Sequence, residues 1–76
     1  MQLNPGTDNT LVLYHPLSTG QEKIMITDIG GRSIGVGKLN QNAQFTEIDL
    51  SLYSKGVHFL IYSDGKYTQS LKFIIQ

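Results

Sequence analysis

Turn-forming residues cut this chain into short segments about 8–12 residues apart, and no window between them keeps a helical period. The breaks fall at residues 16–20, Gly30-Gly31, Asn40-Gln41-Asn42, residues 51–56 and Asp64-Gly65. The intervals are rich in β-branched, aromatic or alternating apolar residues. Such spacing predicts an all-β fold: an immunoglobulin-like antiparallel β-sandwich of about six to seven strands with Greek-key connections.

The strands follow from alternation. Residues 11–15 form the first, stopped by Pro16. Residues 22–28 form the second, with Ile24 and Ile26 on one face. Two adjacent glycines, Gly30 and Gly31, supply the positive φ that a tight hairpin needs. Residues 32–39 then place Ile34 and Val36 toward the core, and Gly35 and Gly37 on a bare opposite face that suits close approach of another backbone or exposure to solvent. Residues 43–50 keep Thr46, Ile48 and Leu50 in phase and Phe45 out of phase. Residues 51–56 read as a crossover between sheets. Residues 57–62 are apolar on both faces, which predicts a central strand covered on both sides. Asp64-Gly65 signals a type I′ hairpin. Residues 66–75 close the fold, with Leu71, Phe73 and Ile75 inward and Lys72 and Ile74 outward. Asn4-Pro5 leads in as a short edge segment. The predicted core is Leu11, Leu13, Ile24, Ile26, Ile34, Val36, Ile48, Leu50, Val57, Phe59, Ile61, Leu71 and Phe73.

Composition narrows the function. A chain of 76 residues makes one domain, and with no cysteine its stability comes from apolar burial and sheet hydrogen bonding. Six basic and six acidic side chains balance, so the basic footprint of a nucleic-acid binder is missing. No apolar run is long enough to span a bilayer as a helix. The first residues lack the charged and apolar regions of a secretory leader. If the domain is exported, a longer parent carries the export signal, and residues 1–76 are expected to be a piece excised from that parent. No nucleophile elbow or metal-ligand pair appears, and Gly30-Gly31-Arg32 does not open a helix that could hold a phosphate. No enzyme activity, catalytic residue, metal or cofactor is expected.

Single residues have structural readings. His58 reads as a packed core histidine, and His15, beside Pro16, as a solvated strand end. Asp28 and Asp49 read as acceptors for turn amides. Tyr53 reads as a corner residue whose hydroxyl bonds the backbone and fixes the crossover loop. The last strand admits two readings. It is a closing edge blunted by Lys72, or an edge offered to a partner by β-augmentation.

An ordered series of motifs runs through residues 3–75: Leu3-Asn4-Pro5, Asp28-Ile29-Gly30-Gly31-Arg32, Ile48-Asp49-Leu50-Ser51, Gly56-Val57-His58, Asp64-Gly65-Lys66 and Leu71-Lys72-Phe73-Ile74. The series resembles the type A C-terminal sorting domain of type IX (Por) secretion cargo in Bacteroidetes-type bacteria. Departures are Leu3 where that family has proline, Tyr53 where leucine is typical, His58 where tyrosine is typical, and Gln76 after the last apolar pair. The resemblance implies a Gram-negative secretion and surface-anchoring signal that folds in the periplasm. Its implied partners are an outer-membrane shuttle and translocon, and a sortase-like cysteine peptidase that removes the domain. The candidate recognition residues are Gly56, Val57, His58, Lys66, Leu71, Lys72, Phe73 and Ile74. Asn4, Pro5, Asp28, Gly31, Arg32, Asp49, Asp64 and Gly65 carry the structural motifs. Competing readings are a fibronectin-like or immunoglobulin-like adhesion or carbohydrate-binding module, with Tyr14, Tyr62 and Tyr67 stacking on sugars, and a structural spacer. A strand-paired or swapped homodimer is also compatible with the pattern.

Overall fold

The computed structural model describes residues 1–76. It holds seven strands: β1 (Gln2–Pro5), β2 (Thr10–Tyr14), β3 (Lys23–Asp28), β4 (Ser33–Lys38), β5 (Phe45–Asp49), β6 (Gly56–Ser63) and β7 (Thr68–Ile75). They form a three-stranded sheet, β1-β2-β5, and a four-stranded sheet, β4-β3-β6-β7, with every neighbouring pair antiparallel. The chain changes sheet after β2, β4 and β5, and the remaining connections are hairpins. This is the all-β sandwich that the turn spacing predicts.

Nine apolar side chains make the core: Leu11, Leu13, Ile24, Ile26, Leu39, Ile48, Leu60, Tyr62 and Phe73. Leu13 and Leu60 are fully enclosed at 0% exposure. Register explains why β6 buries one face only. Ile24 lies opposite Tyr62, Ile26 opposite Leu60 and Asp28 opposite His58. These rows point inward, so Val57, Phe59 and Ile61 occupy the outer face, half-buried. The expectation that Val57, Phe59 and Ile61 lie in the core, under cover on both sides, is corrected here. A strand apolar on both faces does not declare its own register, and a one-residue shift exchanges the faces.

β4 is inverted relative to its sequence pattern for a related reason. Gly37 lies opposite Ile24 and Gly35 opposite Ile26, so the glycines face inward and Val36 points outward at 83% exposure. Register shifts at Ile26/Thr27, and Ile34, Leu50 and Leu71 are only partly buried against the core. A Cβ on Gly35 would run into the Tyr53 hydroxyl and ring, whereas one on Gly37 would sit 3.5 Å from Ile24. Gly35 thus makes room for the Tyr53 ring that closes the crossover loop. Tyr53 holds that corner by packing its ring there, and its amide donates to the Leu50 carbonyl (3.0 Å).

Two turns also differ from their simplest sequence reading. In the β3–β4 hairpin only Gly31 has positive φ (87°). Its amide donates to the Asp28 carbonyl (3.0 Å), and the Asp28 amide donates to Arg32 O (3.0 Å). This is a three-residue loop with a glycine bulge. Between β6 and β7 the Asp64 amide donates to Tyr67 O (3.1 Å) around Gly65 and Lys66, but only Gly65 has positive φ (93°), so the turn is not type I′, which needs it at both central residues.

His15 is buried, contrary to its reading as a solvated strand end. Its Nδ1 lies 2.8 Å from Pro16 O and its Nε2 2.8 Å from Thr46 Oγ1. A carbonyl only accepts, so Nδ1 carries a proton, and in the neutral ring Nε2 then accepts the Thr46 hydroxyl. Thr46 Oγ1 in turn accepts the Asn40 amide (3.0 Å), which ties β2, β5 and the β4–β5 loop together.

Candidate recognition surface

The motif residues resolve into turn chemistry. The Asp28 carboxylate accepts the amides of Gly30 (3.0 Å) and Arg32 (2.9 Å) and pairs with Arg32 Nε (3.1 Å). Asp49 accepts the Ser51 amide (2.9 Å). Asp64 accepts the amides of Lys66 (2.9 Å) and Tyr67 (2.7 Å). Gly56 enters β6 at a φ of 128°, which disfavours any side chain. Asn4 and Pro5 lie in β1, opposite Val12 and Leu11.

Glu22, which the motif series omits, builds a fourth clasp. It accepts the amides of Thr19 and Gly20, each at 3.0 Å, and holds the loop leading into β3. Each carboxyl sits below its ordinary pKa. For Asp28 the Arg32 amide is the main cause; the Arg32 charge and the Gly30 amide add to it against an opposing burial effect. For Asp49 it is the Ser51 amide and side chain. For Asp64 the Lys66 and Tyr67 amides outweigh burial. For Glu22 burial is the largest effect and opposes ionisation, but the Thr19 and Gly20 donors together exceed it.

A stability prediction follows from these directions. Folded-state values lie below unfolded ones, so the unfolded chain binds protons first as pH falls. The contribution is fully present above about pH 5 and is lost as the pH drops through 4 toward 3. Melting temperatures measured across that range are expected to fall most between about pH 4.5 and 3. Asp28→Asn should make the decline shallower and lower the melting temperature at pH 7.

The candidate recognition residues divide between two faces. Phe73 lies opposite His58, Leu71 opposite Leu60, and Ile75 opposite Gly56 on the inner side. His58 is only 3% exposed, its ring stacked on Phe73 (centroids 5.6 Å apart) and its Nδ1 donating to Gly56 O (3.1 Å). Val57 faces Ile74, and Phe59 faces Lys72, on the outer side. Lys66 is exposed in the β6–β7 loop. The structure therefore joins Val57, Lys72 and Ile74 on one exposed surface and puts His58, Leu71 and Phe73 beneath it. β7 pairs with β6 alone, which leaves its second backbone edge open.

Sequence reading missed the continuation of that outer surface across the sheet. Met25 lies opposite both Val36 and Ile61, and Lys23 opposite both Lys38 and Ser63. Folding the β3–β4 hairpin about Gly30-Gly31 brings these partners together, so the turn position carried the signal. The tyrosines offered for sugar stacking do not form a platform. Tyr62 is buried at 5% exposure, while Tyr14 lies on the other sheet, opposite Phe45.

The chain matches the model of the secretion system C-terminal sorting domain over residues 4–76, and it belongs to that family. Searches of curated proteins and of solved structures gave no match. The family is one of type IX secretion sorting signals and not of enzymes. Its members are recognised by the type IX machinery and directed to the cell surface or extracellular space.

Proposed function

We propose that residues 1–76 are the sorting domain of a larger secreted parent and that the secretion machinery reads β7. The observation that carries this is the two-sided role of the strand. Phe73 anchors it in the core while Lys72, Ile74 and one whole backbone edge stay open. An outer-membrane shuttle or translocon component would pair with that edge by β-augmentation, with main-chain hydrogen bonds supplying affinity. In this reading the folded domain passes through the periplasm. A sortase-like cysteine peptidase then separates it from the parent, which remains at the surface. The domain itself performs no chemistry.

The test fuses the domain to a periplasmic reporter in a bacterium with type IX secretion. Deleting residues 71–76 is expected to abolish surface delivery, and export at the parental level would sink the reading. The shorter deletion of residues 74–76 leaves Phe73 in the core and separates loss of the strand end from loss of the fold. The open edge also suits strand pairing with a second copy, which sedimentation at high concentration would detect.

A further inference from the structure

The outer face of the four-stranded sheet carries no carboxylate, although the chain as a whole is neutral. Its rows contain Lys23, Lys38 and Lys72 beside Met25, Val36, Val57, Phe59, Ile61 and Ile74. Arg32–Asp28 is the ion pair of the structure, so none of these three lysines is neutralised. Lys23 and Lys38 stand directly opposite each other across the hairpin. Like charges in that arrangement destabilise a sheet, and neither lysine pairs with a carboxylate. A local rule broken without structural gain points to function. Beside the pair, Met25, Val36 and Ile61 line a shallow groove of about 460 Å³. Val36 (83%) and Ile74 (60%) expose most of their surface, while the side chains between them lie half-buried in the pleat.

The geometry points to this face as a docking surface for a protein partner whose contact patch is apolar and rimmed by carboxylates. The inference rests on the sorting reading and names the partner's chemistry. Charge decides the occupant. A second copy docking by the same face would set lysines against lysines. Val36 and Ile74 standing above the half-buried Met25, Phe59 and Ile61 suit packing against another protein surface, as between sheets about 10 Å apart. They do not form the protruding apolar wedge that enters lipid.

Lys38→Glu is the discriminating variant. It turns the Lys23–Lys38 repulsion into a cross-strand attraction, so the melting temperature should rise by about 2–4 °C. Surface delivery of the reporter fusion should nevertheless fall by about tenfold, because an attractive rim charge becomes repulsive toward the acidic partner. Glu47→Lys, on the other sheet, should export normally. Parental export of the Lys38→Glu fusion overturns the inference. So does cosedimentation of the domain with phosphatidylglycerol vesicles that the variant loses, or a self-associated species that the variant loses. If deletion of residues 71–76 abolishes export while Lys38→Glu does not, the face is wrong and the sorting reading stands. If neither changes export, the sorting reading falls as well.

Discussion

Leu60→Ala is expected to cost about 3–4 kcal/mol and to lower the melting temperature by about 15–30 °C. Leu60 is fully enclosed in β6, at the centre of the four-stranded sheet, between Ile26 on β3 and Leu71 on β7. Truncation removes the transfer free energy of the side chain and leaves a cavity that two paired neighbours prevent from collapsing. A domain of this length holds roughly 4–11 kcal/mol in all at ordinary values per residue, so one truncation takes a large share. The informative comparison is Phe59→Ala. Phe59 is the bulkier residue and lies next in sequence, but it faces outward and is only half-buried. Its truncation should cost about 1 kcal/mol. Thermal melts of both variants test the assignment of faces. A larger loss from Phe59→Ala than from Leu60→Ala would mean that β6 presents its other side to the core.

Gly35→Ala is expected to destabilise by about 2–3 kcal/mol, an unusual loss for adding one methyl group. The new Cβ would meet the Tyr53 hydroxyl and come within 3.0 Å of the Tyr53 Cζ, so the ring must move or the edge strand must bend. The clash is pairwise, which makes it separable by a double-mutant cycle. Tyr53→Ala alone loses packing against His58 and the core, but in that background Gly35→Ala should be nearly neutral. The coupling should reach about 1–3 kcal/mol in denaturant melts. Gly37→Ala is the control. Ile24 lies at ordinary contact distance there, and an alanine loses less conformational freedom on folding. Its effect should be small or slightly stabilising. Equal losses at Gly35 and Gly37 would remove Tyr53 as the cause.

The motif series acquires a physical meaning once the turns are drawn. Asp28, Gly31 and Arg32 form one loop, in which the aspartate gathers two amides and a guanidinium around a glycine of positive φ. Asp64 and Gly65 repeat the device between β6 and β7. These are instructions for folding, and they show in the sequence because turn chemistry is local. Lys23, Lys38, Lys72 and Ile74 take no part in them. Of the candidate recognition residues, Val57, Lys72 and Ile74 share the outer face with Lys23 and Lys38.

Local chemistry alone therefore set the strand count to within one, the places where the chain reverses and the absence of helices, and the order of the motifs carried the resemblance to a sorting family. Those features depend on residues a few positions apart. Which side of β4 and β6 meets the core depended instead on pairing across the sheet. Gly35 and Gly37 read as a bare outer face until Ile24, Ile26 and Tyr53 were seen to fill the space beside them. His15 read as solvated until Thr46, far along the chain, supplied its second partner. The lysine-rimmed surface likewise exists only once β3, β4, β6 and β7 lie side by side. Strand identity is written in neighbours along the chain, but the choice of buried face belongs to neighbours across it.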